Sequence, residues 1–234
     1  MATLLEHVYA VKNLMSKGVG SADERYTERL ITYMLNSARA RLIKDKMNKY
    51  GYVSPLSYQT VCIPLELTTY HDCDCIPADL GCKVLKSTCV IPRDLISKKG
   101  SSLMVKKPSG EIINETSITA NKYVQFSEAN NPADIGSLVE NGHIIILNNT
   151  TLQVVLLTAI WEDPNKIAKF CTCGPNGMTE IPCYDPIYDE YPIDADLSDS
   201  LVDLVVAKLK SVYQLPEDNL VNAKSVELGP DKEN

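Results

Sequence analysis

The sequence predicts an α+β fold: an N-terminal helical pair and C-terminal helices packed with a central antiparallel β-rich domain. Three observations predict it. Apolar residues recur at helical spacing over residues 4–47 and again over 201–212. Between these stretches the chain breaks into short runs rich in Val, Ile and Thr, separated by turn residues. The 234 residues, 44% of them hydrophobic, are enough for a real core.

Taken in order, Leu4, Leu5, Val8, Val11, Leu14 and Met15 trace a first helix that Gly18 and Gly20 end. Ser21 to Glu24 has the form of a capping box, so a second helix is expected from about 22 to 49, stopping at Gly51. Its apolar stripe is Tyr26, Leu30, Ile31, Met34, Leu35, Ala38, Leu42 and Met47. Arg29, Arg39, Arg41, Lys44 and Lys46 are placed on the opposite, exposed side. Strands are expected at 58–67, 83–91, 103–107, 111–117, 122–126, 143–147 and 152–160, with a turn at Pro108-Ser-Gly110. Asn148-Asn-Thr150 reads as the turn of a hairpin joining the last two, and 130–140 as a loop with a helical turn. About seven short strands suggest an antiparallel sandwich or barrel-like sheet. A helix capped by Asp196 or Ser198 then buries Leu201, Val202, Leu204, Val205, Val206, Leu209 and Val212, and a short one runs from Pro216 to about Val226. The expected organisation is therefore 1–53 helical, 54–162 β-rich, 163–195 an acidic irregular loop region, 196–228 helical, and 229–234 a flexible tail.

Charge is unevenly spread over a chain whose net value is −7. Residues 1–60 hold nine Lys/Arg against five Asp/Glu, and residues 161–203 hold two against ten. A basic end and an acidic end suit head-to-tail association of identical copies; a solvated acidic loop is the plainer reading. Twelve Tyr against two Phe and one Trp fit surfaces that become buried in assembly, and equally fit half-buried strands. The acidic balance argues against sequence-specific nucleic-acid binding. No apolar run approaches a membrane span, and the N-terminus lacks the pattern of a secretory signal, so synthesis in a reducing cytosol is expected.

Chemistry has few footholds. Six of eight cysteines fall in two groups, Cys73, Cys75 and Cys82, then Cys171, Cys173 and Cys183, with His71 beside the first. Three thiolates in each of two loops can make a zinc set, but C-x-C is not the C-x-x-C spacing that turns two sulfurs toward one metal. Free thiols are the better expectation, with disulfides disfavoured in a reducing compartment. Three His, no phosphate-cradling Gly-rich loop and no nucleophile motif leave no catalytic residue and no cofactor to name. The acids around Asp189 lack EF-hand spacing.

Three phrases, in order, carry a resemblance: Ser54-Pro-Leu-Ser-Tyr-Gln-Thr-Val-Cys-Ile-Pro-Leu-Glu66, the Cys-rich stretch Asp72–Ser87 with Ile91-Pro92 after it, and Tyr191-Pro-Ile-Asp-Ala-Asp196 with Leu215-Pro-Glu-Asp218. With the long helix before them, they make the chain similar to the head-to-tail connector (ring or adaptor) proteins of crAss-like tailed bacteriophages. The resemblance implies a virion protein at the head–tail junction, assembled in the host cytoplasm and forming a ring, commonly of twelve copies. Its implied partners are itself, the portal and other ring or tail proteins, with double-stranded DNA passing through the channel and no membrane. It implies no enzyme activity. A lower tail ring or a head-completion protein is the nearest alternative, and a zinc- or thiol-dependent soluble protein a more distant one. The residues expected to make assembly contacts are Arg39, Arg41 and Lys44 on the second helix and Asp189, Glu190, Asp194 and Asp196 in the acidic stretch.

Overall fold

Residues 2–16, 26–69, 83–98, 100–115, 135–147, 149–174 and 177–213 are described by a computed structural model. Helix α1 spans Leu4–Met15, and its cap is a reciprocal one: the Glu6 amide donates to Thr3 Oγ1 at 3.2 Å while the Thr3 amide donates to Glu6 Oε2 at 2.8 Å. Helix α2 spans Glu28–Tyr50, roughly 35 Å at 1.5 Å per residue. Thr27 caps it through the Leu30 amide, so it starts later than the expected residue 22; the Ser21–Glu24 box lies outside the described residues. Gly51 ends it as expected, at φ 83°, a left-handed conformation that a Cβ would disfavour.

The strands, in chain order, are β1 Gln59–Thr69, β2 Lys83–Ser87, β3 Ile96–Ser97, β4 Gly100–Ser101, β5 Met104–Lys106, β6 Ile112–Glu115, β7 Gly136–Glu140, β8 His143–Leu147, β9 Val154–Ala159, β10 Cys171–Gly174 and β11 Gly177–Pro182. Helix α3 spans Ala195–Tyr213. It begins ahead of Asp196 and Ser198, which therefore sit inside the helix instead of capping it. The expected strand 122–126 and the helix after Pro216 lie outside the described residues.

Seven strands close into a barrel in the order β1-β2-β8-β7-β6-β5-β9, and two small hairpins, β3–β4 and β10–β11, stand apart from it. The barrel is mixed: β6 and β7 run parallel, while the other pairs are antiparallel. Closure rests on the long β1, whose residues 59–64 pair with β9 and 65–69 with β2. Pro64, which has no N–H to give, sits where the strand changes partner.

Two turn assignments separate here. Pro108-Ser-Gly110 turns β5 into β6, with the Gly110 amide donating to Lys107 O at 2.9 Å. Asn148-Asn-Thr150 does not make a hairpin, because β8 lies between β2 and β7 while β9 lies between β1 and β5. The tight hairpin is instead β7–β8, through Asn141 (φ 49°) and Gly142 (φ 76°), the Asn-Gly pairing that a type I′ turn demands. Residues 136–140 are thus strand, not loop.

The barrel is filled by aliphatic side chains from alternate positions, among them Val61, Ile63, Ile144, Ile146, Val155 and Leu157. Burying each contributes roughly 1.5–3 kcal/mol before entropy is charged against it. A second core forms where α1, α2 and α3 meet: Leu4, Val8, Val11, Ile31, Leu35, Leu201, Val205 and Leu209. Val84, Leu138, Ile145 and Leu147 form a smaller cluster on strands β2, β7 and β8, and Ile43, Leu95 and Ile160 form another that joins α2 to the barrel.

Candidate assembly surface

The joint between helices and barrel is polar at its centre, and Arg39 is that centre. Four residues after Leu35 and four before Ile43, it shares their inward face and is fully buried, a correction to its expected place on the exposed side. Its Nε donates to Pro192 O at 2.6 Å, Nη1 to Trp161 O at 2.7 Å and Nη2 to Ser57 O at 3.4 Å. Three segments far apart in sequence are thereby tied to one guanidinium. Burial lowers the Arg39 pKa, and Tyr191, Tyr184, Asp163 and Asp194 act against that. Beside it, Tyr191 Oη donates to Asn36 Oδ1 at 2.7 Å, and Asn36 Nδ2 donates to Asp163 Oδ1 at 2.8 Å. The Tyr191 ring meets His7 edge-on at 5.5 Å.

Asp194 forms the second polar joint. Ser57 Oγ donates to its carboxylate at 2.6 Å, the Ser54 amide at 3.1 Å, and Lys46 Nζ lies 2.6 Å away. Burial raises its pKa, but the hydrogen bonds from Lys46, Ser57 and Ser54 outweigh that and hold the carboxyl below its ordinary value. Lys46 also reaches Asp196 at 2.8 Å, and bonds to the two carboxylates push its pKa up to about 12. Asp194 is therefore buried inside the subunit, and Asp196, though exposed, is ion-paired within it.

Of the other carboxylates in the acidic stretch, Asp185 is half-buried and Asp189 and Glu190 are exposed. Residues 185–190 form a turn held by its own carboxylates: the Asp185 amide donates to Asp189 Oδ2 at 2.6 Å and the Ile187 amide to Asp185 Oδ1 at 2.8 Å. Its tip presents Ile187 (53% exposed) and Tyr188 (81% exposed). Asp189 and Glu190 are exposed on it, and a bridge from Glu190 to Thr3 fixes the turn to the start of α1. On α2, Arg41 and Lys44 are exposed, Arg41 lying 3.8 Å from Asp45. Exposed tyrosines recur along the same helix and its exit, at Tyr33, Tyr50 and Tyr52.

The cysteine groups are not brought into a described site. Cys73, Cys75, Cys82 and His71 lie outside the described residues, as do the side chains of Cys171 and Cys173. Cys89 is a half-buried free thiol, and Cys183 is likewise half-buried. Cys62 is disulfide-bonded, a departure from the expectation of free thiols throughout. Among the described residues no group of three metal-ligating side chains converges, and no helix is long and apolar enough to cross a membrane.

Residues 6–232 match a family model described as phage tail ring protein 2, of the crAss group. No curated protein matches the chain.

Proposed function

The chain belongs to the crAss phage tail ring protein 2 family, and on that premise we propose that it forms a ring between the portal and the tail, extending the channel through which the genome is held and released. As a ring protein of a phage tail, it is a structural component of the virion. The family match over nearly the whole chain carries the proposal. The construction of the subunit supports it. The helix layer and the barrel are tied together at Arg39 and Asp194. Exposed Tyr and Ile side chains supply apolar contact area without entering the core.

In this reading about twelve copies associate head to tail, since a heterologous contact closes into a ring when the rotation between copies divides a full turn. Of the charges expected to make contacts between copies, Asp189, Glu190, Arg41 and Lys44 are exposed, whereas Arg39 and Asp194 are buried and act within the copy. Acidic surface turned to the channel repels the phosphate backbone and lets the duplex slide, the reverse of the attraction that holds DNA-binding proteins. The role is structural, with no catalytic step, cofactor or membrane contact, and assembly takes place in the host cytoplasm. A ring further down the tail is the second reading, favoured by the words "tail ring" in the family description. Electron microscopy of the purified chain with isolated portal rings tests the portal position. A ring docked directly on the portal is expected. A ring that binds tail components and never the portal moves the protein down the tail.

A further inference from the structure

The six-residue turn Asp185–Glu190 has a complement on the same chain. A groove of about 670 Å³ opens between the β1–β2 side of the barrel and the 3-10 helix Pro164–Lys169. Its floor is apolar, built from Pro64, Val90, Ile91, Pro92 and Phe170, and Val90 is 61% exposed although the residues beside it in sequence are not loop-tip polar groups. Its rim is basic: Arg93, Lys166 and Lys169 line it, all exposed, with no carboxylate among the described lining residues. None of the three makes an ion pair among the described residues. Residues 161–203 hold only two basic side chains, and both stand on this rim. A basic rim around an exposed apolar floor, on a chain of net charge −7, selects an apolar knob flanked by carboxylates.

The turn is such a knob. Ile187 and Tyr188 project from it, and Asp185, Asp189 and Glu190 surround them. Both side chains are exposed, so the turn does not fill the groove of its own subunit. We propose that the groove takes the Asp185–Glu190 turn of a second copy of this chain, with Ile187 and Tyr188 on the apolar floor and the carboxylates against Arg93, Lys166 and Lys169. Because knob and groove are different surfaces, the contact can pass head to tail from copy to copy, as a ring requires; a reciprocal pair about a two-fold axis would stop at dimers. The inference rests on the ring reading and names the surfaces that close it.

The groove carries its own probe. Cys89 is a half-buried free thiol in its lining. In Tyr188→Cys the knob of one copy brings a thiol to Cys89 of the next. The full-length protein is mixed with the portal and tail components of its particle, treated with a short bis-maleimide, and run on a denaturing gel. The expected result is a ladder extending past dimers for Y188C, absent from wild-type protein and from Y188C/C89S. A ring seen by mass measurement but giving no ladder, or one stopping at dimers, overturns the contact and leaves the ring reading standing. Wild-type protein that forms no ring under any of these mixtures overturns both.

Discussion

The barrel and the helix–barrel joint are held by opposite means. The barrel interior is mostly aliphatic, its side chains delivered by strand alternation, and many residues share the load. The joint relies on few residues: one guanidinium on three carbonyls and one carboxylate between Lys46, Ser57 and Ser54. A hydrophobic core tolerates changes of shape within limits, whereas a buried charge has one geometry in which it is satisfied. The joint therefore fixes the angle between helices and barrel, which every subunit of a closed ring must reproduce.

The largest effect is expected at Arg39. Arg39→Leu leaves the Trp161 and Pro192 carbonyls buried without donors, and should cost about 3–5 kcal/mol by chemical denaturation. Hydrogen exchange should show α2 and α3 loosened more than β1 and β9; equal loosening would mean the joint has no separate role. Leu157→Ala, inside the barrel, should cost about 2–5 kcal/mol, with exchange rising first in β1, β5 and β9.

Asp194→Ala comes next, at about 2–3 kcal/mol, since Lys46 and Ser57 lose their shared acceptor. The pH dependence follows from the depressed carboxyl pKa. Its contribution is fully present above the ordinary value near 3.8 and is lost as pH falls through the lower folded value. Wild-type protein should lose stability more steeply than D194A below about pH 4, measured by melting temperature against pH. A pair of parallel curves would deny Asp194 that role.

Gly142→Ala should cost about 1 kcal/mol, because a Cβ there meets Val90 Cγ1 at 3.0 Å and the turn needs φ 76°. The smallest effect is at His7, whose burial lowers its pKa below 6.5, with Glu6 and Asp199 acting against that. The unfolded chain binds that proton first, so stability should fall as pH drops below about 6.5, and His7→Leu should flatten the slope.

The helices were largely legible because periodicity records which face is buried: Leu4, Val8 and Val11, and Leu201, Val205 and Leu209, lie where their spacing placed them. Arg39 was not, because a charged residue is assigned outward unless its acceptors are known, and these are 18, 122 and 153 residues away. The Leu35–Arg39–Ile43 spacing was the available signal. The Asn148–Thr150 turn misled for a related reason. Asn149 Oδ1 does accept from the Thr151 and Leu152 amides at 2.9 Å, so the chain turns there. Local chemistry fixes the turn, but which strand neighbours which is decided by barrel closure. The Asn141-Gly142 dipeptide carried the true hairpin signal. The groove and its complementary turn were invisible in sequence, since Pro64, Val90 and Phe170 meet only through the fold. The acidity of 185–190 was plain; what it faces was not.

The central claim is a ring of identical subunits in the phage tail. The most direct measurement is electron microscopy, with mass determination, of the full-length chain assembled with the portal and neighbouring tail proteins of its particle. The account predicts a closed ring of identical copies with the acidic turn of each against the next. A chain that remains monomeric in every such mixture, and is missing from purified virions, would contradict it.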